Sequence, residues 1–159
     1  MRILAFDPSG NWREGGGTTG WAWFVDRKLT AFENIKSVDY DCPEAYWYDH
    51  VQLIRDLQPN VVVYETYKLQ AGKAMQQSWS ELETPQLIGI IRHECWKEGI
   101  PCYGQDPMIK KRFNDNILVQ LGIAERRGKL LYINGERTND HMRDAIRHGL
   151  YFIKYGKVI

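Results

Sequence analysis

Arg2-Ile3-Leu4-Ala5-Phe6-Asp7 and Val61-Val62-Val63-Tyr64-Glu65 decide the reading of this 159-residue chain. Each is an apolar run that closes on a carboxylate. Short apolar runs without polar alternation read as strands buried on both faces. An acid at the end of such a strand bears the cost of desolvating its charge. A cation held at the same place offsets that cost. A third acid, Asp144, lies far along the chain with His141 one helical turn before it. If the three positions converge, they form a cage for divalent metal.

Working outward from the first run, Pro8-Ser9-Gly10 stops the strand and a loop rich in glycine follows. Trp21 to Val25 reads as a second strand, Asp26-Arg27-Lys28 as a turn and Leu29 to Val38 as a third strand. Three strands in sequence pair naturally as an antiparallel meander. From Pro43 to Leu57 the period becomes helical, through Ala45, Tyr48 or Trp47, Val51, Ile54 and Leu57, and Pro43 suits a first turn. Gln58-Pro59-Asn60 breaks the chain before the second run. Residues 66 to 80 are polar and carry no strong signal. Glu81 to Lys97 reads as a long helix starting near Thr84, and Ile100 to Tyr103 as a short strand. Pro107 to Phe113 is expected as a short helix capped by Asp106. Ile117 to Leu121 reads as helical, and Gly122 to Gly135 as charged and irregular. Thr138 or Asn139 caps a last helix to about Tyr155, striped by Met142, Ala145, Ile146, Gly149 and Ile153. The order β-β-β-α-β-α-β-α-α predicts one domain over 1–159. Its architecture is α/β, a mixed five-stranded sheet with helices on both faces.

The composition is that of an ordinary globular chain, 43% hydrophobic and 26% charged, which argues against disorder. The net charge of +1 places any polyanion site in a local patch. Three cysteines without a C-x-x-C pair suit a reducing compartment. No apolar run approaches a membrane span, and no secretory leader is recognisable. A cytoplasmic protein with no membrane partner is expected.

Asp7 and Glu65 end strands joined through a helix, so a parallel pairing brings them to one sheet edge. His141 and Asp144 share a helix face. Oxygen ligands with a histidine suit Mg²⁺ or Mn²⁺. Two such ions about 4 Å apart stabilise the attacking and leaving oxygens of a phosphoryl displacement. Phosphodiester hydrolysis is the reaction that uses this arrangement best. Each residue also has a plainer reading. Asp7 ahead of Pro8-Ser9-Gly10 is equally a turn former, and Glu65 a cap for a following helix. Asp140 is expected as a first-turn charge favoured by the helix dipole. His141 alone reads as a solvated histidine. His148, one turn beyond Asp144, is expected at the surface, with a place behind the ligands as the alternative. The set is more specific than any member.

The chain resembles a known family through Asp7-Pro8-Ser9-Gly10 with Thr19-Gly20-Trp21-Ala22, then Val63-Tyr64-Glu65, then His141-Met142-Arg143-Asp144-Ala145. These are similar, in order and in overall chain length, to the motifs of the RuvC family of Holliday-junction resolvases. The resemblance implies a ribonuclease H-like fold and metal ligation by Asp7, Glu65, His141 and Asp144. It also implies a homodimer acting on branched DNA, a four-way junction or a fork, as a crossover-junction endonuclease with two Mg²⁺ or Mn²⁺ ions per site. Pro107-Met108-Ile109-Lys110-Lys111 resembles the family's Pro-x-x-Val-Lys segment, which implies a catalytic, DNA-handling role for Lys110. Gln86 to Gly89 is similar to a stretch of the family's long helix. The departures are specific. The loop between Asp7 and Trp21 is longer and is expected to lengthen the hairpin. Lys68 stands where the family often has a junction-wedging Phe, with Tyr67 beside it as a stacking candidate. The family's Gly-x-Ala-x-Lys tract is not recognisable near Gly122 to Lys129. Such divergence is similar to that of phage-encoded members.

DNA contacts are expected from Tyr67, Lys68, Lys73, Lys110, Lys111 and Arg112, since cations on phosphates give affinity without base reading. Arg126, Arg127 and Lys129 form a second basic cluster, read equally as an ordinary solvated face. Arg13 is an outlying candidate, and a zinc site around His93 and Cys95 is not expected. Trp79 and Trp96 read as packing or dimer contacts. Two alternatives keep the same fold: a nuclease for RNA or an RNA–DNA hybrid, and a non-catalytic factor that binds branched DNA.

Overall fold

The computed structural model describes residues 1–12, 16–69 and 82–156. Strands β1 (Arg2–Asp7), β2 (Thr18–Val25), β3 (Lys28–Lys36), β4 (Val61–Glu65) and β5 (Cys102–Gln105) form one five-stranded sheet in the order β3-β2-β1-β4-β5. β2 pairs antiparallel with β1 and β3, while β4 runs parallel to both β1 and β5. Asp26 and Arg27 both take positive φ in the two-residue turn that closes the β2–β3 hairpin. The meander and the parallel half are therefore as expected. β2 begins three residues earlier than its reading, and Ser37–Asp39 forms a 3₁₀ turn rather than continuing β3.

The central strands bury both faces, which is why their sequences show no alternation. Ile3, Ala5, Val61 and Val63 face one core with Ala145 and Ile146 of helix α4 (Asp140–Tyr155). Leu4, Phe6, Val62 and Tyr64 face the other core. There they meet Tyr46 and Ile54 of α1 (Pro43–Leu57) and Leu87, Ile91 and Cys95 of α2 (Glu83–Lys97). The last helix packs tightly on β2 because two glycines permit it. A Cβ at Gly149 would lie 2.1 Å from the Phe24 ring, and one at Gly20 would lie 1.9 Å from the His141 carbonyl oxygen.

A 3₁₀ helix, Pro107–Phe113, starts with the Asp106 side chain accepting from the Met108 N–H. It leads to the short α3 (Asp115–Gln120), capped by Asn114. The stretch expected to be irregular is instead a second sheet, β6 (Ala124–Arg127), β7 (Leu130–Ile133) and β8 (Glu136–Arg137). Its turns are Gly128-Lys129 and Asn134-Gly135, with Gly128, Asn134 and Gly135 at positive φ. Asn-Gly is the strongest two-residue hairpin signal a sequence carries. The short, charged strands around it mask the alternation, since only Ala124, Leu131 and Ile133 are buried.

Candidate metal centre

β1 and β4 are in parallel register, Phe6 beside Tyr64, so Asp7 and Glu65 leave the sheet at the same edge. Asp7 faces Gly20 across the β1–β2 pair. The missing Cβ of Gly20 lets the first turn of α4 close onto that edge. Asn139 caps the helix by accepting from the Met142 N–H. This packing brings His141 Nδ1 to 3.1 Å from Asp7 Oδ2 and turns Asp144 inward one turn later. Oxygens of Asp7, Glu65 and Asp144 all lie within 4.8 Å of one another. No other group of His, Cys, Asp and Glu converges in this way among the described residues.

Lys110 reaches this cluster from the 3₁₀ helix. Its Nζ donates to Glu65 Oε2 at 2.9 Å and to Asp144 Oδ2 at 2.8 Å. Burial opposes the ammonium charge, but the hydrogen bonds and attraction of Asp144 and Glu65 outweigh it and hold its pKa above the usual lysine value. Burial also works against the charge on Glu65. Hydrogen bonds from His148 and Lys110 prevail and hold its carboxyl below the usual range. Asp7 goes the other way. Desolvation raises its pKa, the hydrogen bond from His141 opposes this, and the nearby charges of Glu65 and Asp144 push it up further. His141 is shifted upward, first by its hydrogen bond to Asp7 and against its partial burial. Burial and the neighbouring charges of Glu65 and Asp144 thus work against a charged Asp7, and a bound cation would offset both. Hard oxygen donors at this spacing fit Mg²⁺ or Mn²⁺, and the acidic cluster is able to hold a metal ion.

Three further residues support the cluster, and the alternative place for His148, behind the ligands, is the one it takes. His148, expected at the surface, is fully buried. It follows Asp144 by four residues and so lies on the same inward face of α4. Its Nε2 donates to Glu65 Oε2 at 2.9 Å, and its Nδ1 lies 2.6 Å from Gln105 Oε1. Gln105 ends β5 opposite Glu65, so the strand-end rule that found the acids also points to it. Arg147 holds the second oxygen of Asp144. Its Nε donates to the Phe113 carbonyl at 2.8 Å, and its other Nη pairs with Asp115. Each carboxylate of the cluster thus has a donor from α4: His141 for Asp7, Arg147 for Asp144, His148 for Glu65.

The loop beside Asp7 is pinned from below. Tyr46 Oη donates to the Ser9 carbonyl at 2.5 Å, and Thr19 Oγ1 accepts from the Ser9 N–H at 3.1 Å. His50 Nδ1 donates to the Tyr46 carbonyl at 2.8 Å, leaving Nε2 to accept from Thr19 Oγ1 at 2.9 Å. Burial pushes the His50 pKa down to about 4, which keeps the ring neutral as this pattern requires. Gly10 and Trp12 N–H groups donate to Thr84 and Glu83 at the start of α2.

Of the expected DNA contacts, Tyr67 and Lys68 border a cleft of about 600 Å³ with Glu65, Met108 and Lys110. Lys68 pairs there with Asp106. Lys111 is exposed. Arg112 lies over the Tyr155 ring at 5.4 Å, roughly 16 Å along α4 from Asp144 at ~1.5 Å per residue. Lys73, Arg13 and Trp79 lie outside the described residues. Asp140 pairs with Arg143 at the surface and stays out of the cluster. His93 is exposed, Glu94 is held by Arg55 at 2.6 Å, and Cys95 is buried. Trp96 is 77% exposed, so it is not a packing residue of the core.

A five-stranded mixed sheet with this strand order and flanking helices is the ribonuclease H-like fold. Among solved structures, the chain shares the fold of RuvC and other Holliday-junction resolvases over nearly its full length. Thermus thermophilus RuvC in complex with a Holliday-junction substrate is 18% identical, with a TM-score of 0.67 over 98% of this chain and 94% of that one. Fowlpox virus resolvase with Holliday-junction DNA is 13% identical, with a TM-score of 0.55 over 97% of each chain. The yeast mitochondrial resolvase Ydc2 is 14% identical, with a TM-score of 0.51 over 97% of this chain and 78% of its own. No protein-family model matches the sequence, and no curated protein does. No described helix is long and apolar enough to cross a membrane.

Proposed function

We propose that this chain is a divalent-metal-dependent, structure-selective endonuclease that resolves Holliday junctions and other branched DNA by hydrolysing phosphodiesters. The observation that carries this reading is the convergence of Asp7, Glu65 and Asp144 within 4.8 Å at one sheet edge. The shared fold with resolvases, some solved with Holliday-junction DNA, supports the substrate. Asp7, Glu65 and Asp144, with His141 as the fourth ligand, would hold two Mg²⁺ or Mn²⁺ ions. When bound, the ions supply Lewis-acid activation of water and charge neutralisation at the departing 3′ oxygen.

The protein's own groups do the rest. His148 and Arg147 fix the orientation of Glu65 and Asp144, which leaves the carboxylates little freedom to reorganise. Lys110 places a persistent ammonium at the cluster and takes a non-bridging oxygen of the scissile phosphate. Tyr67 and Lys68, in the neighbouring cleft, meet the strand beside the cut, and Lys73, Lys111 and Arg112 bind phosphates further out. The enzyme acts as a homodimer, since two symmetric cuts are matched by a two-fold assembly. Asp7→Asn is expected to bind a four-way junction with wild-type affinity and not to nick it. Wild-type nicking by that variant in Mg²⁺ refutes the metal cage.

A further inference from the structure

The small β6–β8 sheet has one apolar and one charged face, and the charged face is not explained by packing. Leu131, Ile133 and Ala124 turn inward against α3 and α4. Strand alternation then turns Leu130 and Tyr132 of β7 outward. The register sets Arg127 beside Leu130, and places Glu125 and Arg137 on either side of Tyr132. Lys129 occupies the hairpin tip. Residues 124–137 carry four cations, Arg126, Arg127, Lys129 and Arg137, against Glu125 and Glu136, in a chain whose total charge is only +1.

These cations differ in their commitments. The Arg127 guanidinium lies 4.3 Å from the Tyr132 ring centre and pairs with Glu125 at 3.2 Å. The ring and the carboxylate hold it in one place. Lys129 and Arg137 pair with no carboxylate among the described residues. They border a hollow of about 470 Å³ against the first turn of α4. The acids of that hollow, Asp115 and Asp140, are already engaged by Arg143. Lys129 and Arg137 therefore present positive charge with no paired carboxylate among the described residues, while Arg127 shares its charge with Glu125.

The sheet is fixed to the catalytic helix. Thr138 N–H and Oγ1 both donate to the Leu131 carbonyl at 2.9 Å, and Arg143 Nη1 donates back to Thr138. Arg137 precedes His141 by four residues, so their backbones lie within ~14 Å of each other at the full reach of the chain. That limit is at most about four steps of a DNA strand at ~3.4 Å per step.

We infer that the outward face of the β6–β8 sheet, with Arg127, Lys129 and Arg137 around Tyr132, binds the sugar–phosphate backbone of the DNA arm next to the cut. This rests on the endonuclease reading above and adds a second contact surface to it. The face reads charge rather than bases, because it offers cations and a ring already covered by Arg127.

The test measures equilibrium binding of a fluorescent four-way junction over a salt series, in Asp7→Asn protein so that no cleavage intervenes. Arg127→Gln with Arg137→Gln removes two phosphate contacts. Each contact contributes ~0.9 to the slope of log affinity against log salt, so the slope falls by about 1.8 and affinity by about 30-fold at 0.15 M salt. Glu125→Gln releases Arg127 and removes a repelling charge, and is expected to tighten binding. Melting temperatures of the variants should match the parent. Unchanged slope and affinity in the double variant overturn the inference and leave the endonuclease reading intact. Failure of the parent to bind branched DNA at all overturns both.

Discussion

Lys110→Met separates a resident counterion from a bystander. Methionine keeps most of the stem and removes the ammonium. In the metal-free protein, Asp7, Glu65 and Asp144 then crowd within 4.8 Å without the cation that touches two of them. At an effective dielectric near 20, each like-charged pair at that separation repels by about 3.5 kcal/mol. The lost attractions at 2.8 and 2.9 Å are larger still. The ammonium no longer has to be desolvated, which returns several kcal/mol. The expected net loss is about 3 kcal/mol, or roughly 6–12 °C in melting temperature for a chain of this size. Calorimetric melting in chelator at pH 8 measures it. Saturating Mn²⁺ should close most of the gap, because the ion restores the missing charge. A variant that melts with the parent in chelator, or a gap that Mn²⁺ leaves unchanged, refutes the counterion reasoning.

His148→Ala removes the donor behind Glu65 and should weaken Mn²⁺ binding about 10- to 100-fold by titration calorimetry; unchanged affinity would show that Glu65 needs no such partner. Gly20→Ala puts a Cβ 1.9 Å from the His141 carbonyl. It should cost about 1–3 kcal/mol of stability and, by displacing the first turn of α4, about 100-fold in nicking rate; normal nicking contradicts the close approach. His50 is held neutral in the fold, with its pKa pushed down to about 4 from 6.5. Its contribution is present above the unfolded pKa and is lost as pH falls through that window, about 3 kcal/mol in all. Urea melts at pH 7 and pH 4 should show His50→Gln losing less stability on acidification than the parent; equal losses exclude His50 as the source.

The sheet was legible because its two central strands are buried on both faces and say so without alternation. The strand-end acids and the helix-borne Asp144 were legible for a related reason: a carboxylate beside an apolar stripe needs a partner. The partners themselves were harder to read. His148 sits inside a helix with no period to mark it, and only the closing of α4 over Gln105 and Glu65 makes it buried. By residue type Lys110 reads as one of three consecutive cations; the family resemblance singles it out, and the 3₁₀ turn shows why, aiming it alone of the three at Glu65 and Asp144. The β6–β8 sheet was missed because two- to four-residue strands carry too few apolar positions to show alternation, although Asn134-Gly135 announced one of its turns. Asp140, adjacent to His141 in sequence, stays outside because its position on the helix faces Arg143 and solvent.

The acidic edge is proposed to cut branched DNA with a divalent ion. The direct measurement compares strand cleavage of a four-way junction and a linear duplex of the same sequence, in Mg²⁺, in Mn²⁺ and in chelator. Paired nicks are expected in the junction with either ion, with little cutting of the duplex and none in chelator. Cleavage that persists in chelator, or that treats junction and duplex alike, contradicts that proposal.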